Sequence, residues 1–253
     1  MGLMRLVSVN IEGDRHLSTV LPFVAHTDPE VLCLQEVFED HLAYFSTYPF
    51  RAFLAATIRR TFTTPQRGVF GIALVSKYPF VKSSRWYLRD YHGDLCEFDD
   101  TSATTIYATY RYGVISADIQ ATDLFRIATT HFTWTPNGLP TLEQSQDLTQ
   151  LKTCLNAYGA HILVGDLNIP RGKNSLYERL ATGYVDAIPS SYTGSIDVER
   201  HRLAHTTHAQ HLETNMVDYI FTTPQYRAEN VRLEGGVSDH KAIVAEIYRT
   251  ERD

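Results

Sequence analysis

The sequence has few cysteines and no long apolar segment, and each absence argues against a class of protein. Its three cysteines, Cys33, Cys96 and Cys154, are scattered and odd in number. They do not form the paired framework of a small secreted domain, so we expect free, buried thiols in a reducing compartment, the cytoplasm. No run approaches the roughly 20 apolar residues that span a bilayer. We therefore expect neither a transmembrane helix nor a signal peptide.

An excess of positive charge is also missing. The formal net charge is −6, so the chain lacks the basic field typical of many nucleic-acid-binding domains. If carboxylates gather around a divalent cation, however, part of this negative charge belongs to a site, and a local basic rim could still hold a phosphate chain. With 253 residues and no repeat or linker, the sequence predicts one domain over residues 1–253 and, we expect, a monomer.

The apolar residues recur with the spacings of both helices and strands. Helices are predicted at 16–25 and 141–157, the second beginning with a capping box of Thr141 and Gln144. Segments 89–105 and 190–215 have no apolar period and are predicted to be loops. Strands are predicted at 6–9, 31–34, 71–76, 111–119, 124–130, 161–164, 217–221 and 242–247.

Polar side chains stand at or next to the ends of these apolar strands. Open α/β sheets bind ligands just beyond the ends of their strands. Polar residues at several strand ends can therefore converge on one rim of the sheet. Five positions share this property: Asn10, Glu36, His131, Asp166 and Asp218.

Several of these positions also have an ordinary structural interpretation. Glu36 could be a solvated strand end. Asn10 and Glu12 lie two residues apart and could share one side of an extended chain or form a turn with Gly13. Asp166 and Asn168 have the same spacing, and an Asx turn would explain them equally.

Asp218 lies inside an apolar strand, where a lone buried charge would cost several kcal/mol unless paired. His240, 22 positions later and beside Asp239, is the natural partner.

Taken in order, the segments NIEG, LQE, a histidine, GDLN, VDYI and SDH resemble the endonuclease/exonuclease/phosphatase superfamily from Asn10 to His240. That family includes deoxyribonucleases, abasic-site endonucleases, tyrosyl-DNA phosphodiesterases, sphingomyelinases and inositol polyphosphate 5-phosphatases. The resemblance implies an α/β fold, a four-layer sandwich of two mixed sheets packed face to face with helices outside. It implies a metal-dependent phosphodiesterase but does not specify a substrate.

The resemblance also implies residue roles. Glu36 is expected to be the principal ligand of Mg²⁺, with Mn²⁺ as the alternative, assisted by Asn10, Asp239 and Glu12. His240, paired with Asp218, is expected to deprotonate the attacking water, although Asp166 has also been given that task in the family.

Asn168 and His131 are then expected to contact the phosphate or the leaving group, and Arg111 to contact the substrate. Abasic-site endonucleases generally carry Asn where this chain has His131, which argues against that activity. Inositol 5-phosphatases carry a Cys-Asp-Arg run where this chain has Val217-Asp218-Tyr219, which argues against that one.

The function we expect from the sequence is hydrolysis of a phosphodiester in nucleic acid, in DNA rather than RNA, by a DNA nuclease or a DNA-end-processing enzyme. A phospholipid or small-molecule phosphodiester is the alternative substrate. Two further segments have open interpretations. Phe132 and Trp134, after His131, could stack on a base, enter lipid or cover the core. Four histidines could bind zinc or line a substrate-contacting loop: His201, His205, His208 and His211.

Overall fold

A computed structural model describes residues 2–204, 206 and 209–250 of the chain. It contains two mixed six-stranded sheets. The first sheet consists of β1 (Leu3–Asn10), β2 (Val31–Phe38), β3 (Phe50–Arg60), β4 (Arg67–Ser76), β11 (Tyr226–Glu234) and β12 (Ala242–Arg249). Its spatial order is β11-β12-β1-β2-β4-β3, and β1 and β2 run parallel.

The second sheet consists of β5 (Phe80–Tyr87), β6 (Gly113–Gln120), β7 (Leu124–His131), β8 (Ile162–Asp166), β9 (Val185–Asp186) and β10 (Asp218–Thr222). Its order is β5-β6-β7-β8-β10-β9. β7 and β8 run parallel, whereas β8 and β10 run antiparallel.

Helices lie outside the two sheets. They are α1 (Leu17–Thr27), α2 (Ala103–Thr109), α3 (Leu142–Tyr158), α4 (Tyr177–Ala181) and α5 (Ala209–Glu213), with 3₁₀ turns at Glu39–Phe45 and Pro136–Gly138. Val20 and Val24 of α1 pack with the outward-facing apolar residues of β1 and β2. Leu148, Leu151 and Leu155 of α3 are buried, as their spacing predicts. The expected α/β sandwich of two packed sheets with outer helices is confirmed.

β1 shows how the fold sets up a polar rim. Met4 and Leu6 point into the core between the sheets, whereas Val7 and Val9 point toward α1. Because side chains alternate along a strand, Ser8 and Asn10 continue the inner face. This face therefore changes from apolar to polar along β1, and its last residue opens onto the rim rather than the core.

All eight predicted strands are present, and the described residues of the two predicted loops contain little regular structure. α2 begins at Ala103, at the end of the predicted loop 89–105, and the short α5 lies within 190–215. β3, β5, β9 and β11 were not predicted.

The expectation of buried thiols holds for one cysteine only. All three cysteines are free, but Cys33 is buried, Cys154 is half-buried and Cys96 is exposed. Across the part of the chain that the structure describes, no helix is both long and apolar enough to cross a bilayer.

Candidate active site at the strand ends

Three of the predicted residues lie side by side at one end of the second sheet. His131, the last residue of β7, pairs with Asp166, the last residue of β8. Asp166 in turn pairs with Asp218, the first residue of β10. All three side chains are at least nine-tenths buried. The strand register therefore produces a row of two carboxylates and an imidazole without any long loop.

Gly165 permits the close strand contact behind this row. Its φ is 142°, a backbone conformation that residues with a side chain rarely adopt. A Cβ added there would stand 2.2 Å from the carbonyl oxygen of Thr130 and 3.3 Å from Gln35 Nε2. Gln35 Nε2 also donates to Thr129 Oγ1 at 3.1 Å, which links the first sheet to the second directly beneath the row.

Asp166 lies at the centre of the cluster. Its Oδ1 accepts a hydrogen bond from the backbone N–H of Asn168 at 3.0 Å, and its Oδ2 accepts one from Asn10 Nδ2 at 3.2 Å. The Nε2 atoms of His131 and His240 stand 3.5 and 3.8 Å from that Oδ2. Burial, reinforced by the neighbouring charge of Asp218, raises the pKa of the Asp166 carboxyl despite the two imidazoles.

His240 and Asp218 form a buried pair, as the sequence predicts. Nδ1 of His240 lies 2.8 Å from Asp218 Oδ2, which leaves Nε2 facing Asp166. Burial lowers the pKa of His240, but the charges of Asp218 and Asp166 outweigh it and hold that pKa well above its ordinary value. Ser195 fixes the start of β10, because its Oγ accepts the N–H groups of Val217 and Asp218, both at 3.0 Å.

A β-bulge turns Glu36 toward the same rim. The pairing of β2 with β4 shifts register between Leu34 and Val37, and Glu36 has a φ of 55°. Leu34 and Val37 both face α1, so Glu36 is the extra residue that the bulge adds. A side chain that strict alternation would direct toward α1 is thus redirected to the strand ends.

An arginine and a histidine stand near the Glu36 carboxylate. Arg59 Nη1 lies 3.8 Å from Oε2, and His131 Nε2 lies 3.9 Å from Oε1. Burial raises the pKa of Glu36, but the positive charges of His131 and Arg59 outweigh this and lower it. Glu36 is therefore ionised.

Asp239 and Glu12, both predicted metal ligands, come together with a third residue, His16. One ligand atom from each of the three lies within 4.8 Å of the others, and all three residues are buried. Burial, followed by repulsion from Glu12 and Glu36, raises the pKa of Asp239 to about 6 although the nearby His240 opposes this. Asn10 is adjacent, since its Oδ1 accepts the N–H of Glu12 at 3.2 Å.

Asn168 and His131 are held by neighbours that the sequence did not indicate. Asn168 Nδ2 donates to the carbonyl oxygen of Phe132 at 2.9 Å, and Tyr110 Oη lies 3.1 Å from His131 Nδ1. Gln144 Nε2 donates to the carbonyl oxygen of Asn168 at 2.9 Å. The capping box at Thr141 is therefore only half formed: its hydroxyl accepts Gln144 N–H, but the Gln144 side chain supports the site loop instead.

Arg111 is the predicted site residue whose charged group the structure does not bring into the cluster. Its Nη2 donates to the carbonyl oxygens of Gly93 and Asp94 at 2.8 and 2.6 Å. Arg59 is instead the arginine beside Glu36.

The structure does not test the zinc interpretation of the four histidines. His205 and His208 lie outside the described residues. Within the described part, His201 Nδ1 accepts the N–H of Leu203 at 3.1 Å.

The model of the Endonuclease/Exonuclease/phosphatase family matches residues 7–240. The chain belongs to this family. Family members are metal-dependent hydrolases of phosphate esters, and this chain is an enzyme of that class. No curated protein matches the sequence.

Solved structures support the fold assignment. An endonuclease/exonuclease/phosphatase from Bacteroides vulgatus is 18% identical with a TM-score of 0.69, over 99% of this chain and 100% of that one. A humanized TDP2 from D. rerio is 16% identical with a TM-score of 0.63, over 97% and 99%. Sphingomyelinase C from Streptomyces griseocarneus is 15% identical with a TM-score of 0.62, over 97% and 99%. At these identities the likeness concerns the fold.

The residues present fit the divalent metal that the family uses. The carboxylates of Glu12, Glu36 and Asp239 are close enough for the first two to raise the pKa of the third. Crowded, buried carboxylates repel each other unless a cation joins them. Carboxylate and amide oxygens are also the ligands that Mg²⁺ and Mn²⁺ favour.

Proposed function

We propose that this enzyme hydrolyses a phosphodiester bond in nucleic acid, with Mg²⁺ or Mn²⁺ as its cofactor. The observation that carries the proposal is the buried Asp218–His240 pair, with 2.8 Å between Oδ2 and Nδ1, whose free Nε2 faces Asp166 beside a separate group of carboxylates. This arrangement provides a proton-transfer group next to an anion-rich pocket, as hydrolysis of an anionic ester requires.

The metal would be held by Glu36, Asp239 and Glu12, with Asn10 Oδ1 offering its second lone pair. When bound, the cation would neutralise charge that develops on the phosphoryl oxygens and orient the displacement. Without it, the three carboxylates would repel the substrate phosphate.

His240 is the proposed base for the attacking water, and Asp218 positions it. The hydrogen bond from Nδ1 to Asp218 leaves Nε2 as the atom that takes the proton. The neighbouring carboxylates hold the pKa of His240 well above its ordinary value. A divalent charge nearby opposes that increase and so favours the neutral imidazole. Asp166 is the alternative base: its pKa is raised, and its Oδ2 stands 3.8 Å from His240 Nε2, so both groups face the same place.

His131 and Asn168 are proposed to bind the phosphate from the opposite side. The Tyr110 hydroxyl at Nδ1 of His131 leaves Nε2 directed at the cluster. The contact from Asn168 Nδ2 to Phe132 fixes the orientation of the amide. Each side chain therefore presents one defined polar atom, which can contact a phosphate oxygen or the leaving group.

A groove next to Glu36 favours a nucleic-acid substrate. It has a volume of about 500 Å³ and is lined by Arg59, Arg60, Thr61, Phe62, Glu97, Phe98 and Asp100. The guanidinium carbon of Arg59 lies 4.7 Å from the ring centres of both Phe62 and Phe98. Aromatic rings and arginines in a groove stack bases and pair with phosphates along a strand. A small phosphate ester would leave this groove unused.

One observation favours a second candidate, a phospholipid phosphodiester. The segment that follows His131 exposes three large apolar side chains: Trp134 at 39%, Leu139 at 55% and Leu142 at 70%. Exposed aromatic and leucine side chains beside a catalytic residue are typical of proteins that work on a lipid surface.

A substrate panel separates these candidates. Purified enzyme would be given plasmid DNA, RNA, 5′-tyrosyl DNA, sphingomyelin vesicles and bis-p-nitrophenyl phosphate, with Mg²⁺ or Mn²⁺. We expect cleavage of a nucleic acid at a rate well above that of sphingomyelin, and a loss of about 10²–10⁴-fold in the His240→Gln variant. Preference for sphingomyelin would refute the nucleic-acid proposal, and equal rates of wild type and variant would refute the role of His240.

A further inference from the structure

His16 stands among the metal-ligand candidates although nothing in the sequence motif assigns it a role. Its Nε2 lies 3.1 Å from Glu12 Oε2, and the Glu12, His16 and Asp239 ligand atoms form one compact group. The imidazole is only 8% exposed. A buried imidazole that faces two carboxylates is either their hydrogen-bond partner or a third ligand beside them.

Two separate connections fix the position of His16. The chain turns at Glu12 and Gly13, whose φ values are 47° and 67°, and Gly13 N–H donates to the carbonyl oxygen of Glu36 at 2.8 Å. Behind His16, Thr19 Oγ1 donates to the carbonyl oxygen of Val237 at 2.6 Å. The first connection ties the turn to the bulge that carries Glu36, and the second ties α1 to the segment that carries Asp239. The imidazole is thus held in place before any ligand arrives.

The distances match the edges of a metal coordination shell. Ligands at about 2.1 Å in an octahedron are about 3 Å apart when adjacent and about 4.2 Å apart when opposite. His16 Nε2 and Glu12 Oε2 are 3.1 Å apart, and no pair in the group exceeds 4.8 Å. A cation can therefore bind all three atoms with small side-chain movements.

A nitrogen ligand changes which cation such a site prefers. Mg²⁺ favours oxygen ligands, whereas imidazole binds transition metals well. With Glu12 and Asp239 still supplying oxygen, Mn²⁺ suits a mixed set in which carboxylates dominate.

We propose that His16 Nε2 is a direct ligand of the divalent cation, and that this nitrogen shifts the preference of the site from Mg²⁺ toward Mn²⁺. The inference rests on the proposed function only for the presence of a metal beside Glu12 and Asp239, and is independent of the substrate. The hydrogen-bond interpretation differs in one respect: it places no nitrogen on the metal.

Metal binding without substrate tests the inference. Protein freed of metal with EDTA and desalted would be titrated with Mn²⁺ and with Mg²⁺ by calorimetry, and the Mn²⁺ complex examined by pulsed electron paramagnetic resonance for coupling to a directly bound ¹⁴N. In wild type we expect that coupling. In His16→Gln we expect loss of that coupling, a Kd for Mn²⁺ increased by at least about 10-fold, the lower limit for removal of an outer-shell partner, and a smaller change for Mg²⁺.

Two control variants identify the nitrogen. His26→Gln, at an exposed position on α1, and His131→Gln, in the neighbouring cluster, should both retain the coupling. Should His16→Gln fail to fold, as judged by circular dichroism, His16→Asn replaces it, and the wild-type spectrum tests the claim without any variant.

The outcomes separate this inference from the broader proposal. Wild type that binds Mn²⁺ without ¹⁴N coupling, or a His16→Gln variant with unchanged Mn²⁺ affinity, would overturn the role of His16 and leave the metal site intact. Wild type that binds neither cation would overturn both.

Discussion

Replacing Asp218 by Asn tests the buried pair that is central to the proposed chemistry. Asn keeps the size of the side chain but removes its charge, so the imidazole of His240 loses its 2.8 Å partner and the proton on Nδ1 is no longer fixed. Disrupting a buried pair of this kind costs about 3–5 kcal/mol. If that cost is felt in the transition state, the rate falls by about 10²–10⁴-fold, at roughly 1.4 kcal/mol per factor of ten.

The assay is kcat/KM for bis-p-nitrophenyl phosphate with saturating Mg²⁺. Asp118→Asn is a matched control, because Asp118 is a buried carboxylate of the same sheet that accepts a hydrogen bond from Tyr158 Oη at 2.7 Å. It pairs with Arg126 near the start of β7, whereas His131 lies at the other end of that strand. We expect the control to remain within about threefold of wild type. An Asp218→Asn variant that folds and keeps wild-type kcat/KM would refute the pairing argument.

Three further outcomes are expected. Gly165→Ala should lower the free energy of unfolding by more than about 1 kcal/mol, because the new Cβ would lie 2.2 Å from a carbonyl oxygen. The control Gly172→Ala also has positive φ but nothing within 4 Å of the new Cβ, so thermal melts should show a smaller loss of stability. Burial lowers the pKa of His161, so at pH values below about 6.5 the unfolded chain binds a proton at this residue more readily than the native protein does. The free energy of unfolding should therefore decrease as the pH is lowered through this range, by at most about 1.4 kcal/mol per pH unit. Denaturant titrations at several pH values should show this slope reduced in His161→Gln, and an unchanged slope would contradict it. Arg59→Ala should reduce kcat/KM on DNA by about tenfold or more and Arg111→Ala by less than about threefold, since charged hydrogen bonds contribute about 1.5–3 kcal/mol; the reverse order would favour Arg111 as the substrate-binding arginine.

The strands that could be read from the sequence are mainly those at the centre of the two sheets. β1, β2, β8 and β10 have near-continuous apolar runs because both of their faces are covered. β3, β5, β9 and β11 lie at sheet edges. Charged and polar residues are frequent along β5 and β11, as in the segment Phe80–Tyr87, where no residue is buried. An edge strand with one face in solvent lacks the apolar signal on which the prediction relied.

The residues of the candidate site also differ in whether the sequence could indicate them. Residues at the ends of apolar strands, such as Asp166 and Asp218, could be recognised because a charge next to a buried segment needs a partner. His16 and Arg59 could not, because their proximity to the carboxylates depends on a turn and on the packing of a strand edge. Arg111 shows the converse, since loop carbonyl oxygens that no motif indicates bind its guanidinium.

The dependence of hydrolysis on a divalent cation tests the central claim most directly. Purified enzyme would be assayed on bis-p-nitrophenyl phosphate before and after EDTA, after restoration with Mg²⁺ or Mn²⁺, and again as the Glu36→Gln variant. We expect EDTA to abolish turnover, either cation to restore it and the variant to stay nearly inactive at the same cation concentration. Undiminished turnover in EDTA, or a fully active Glu36→Gln variant, would contradict it.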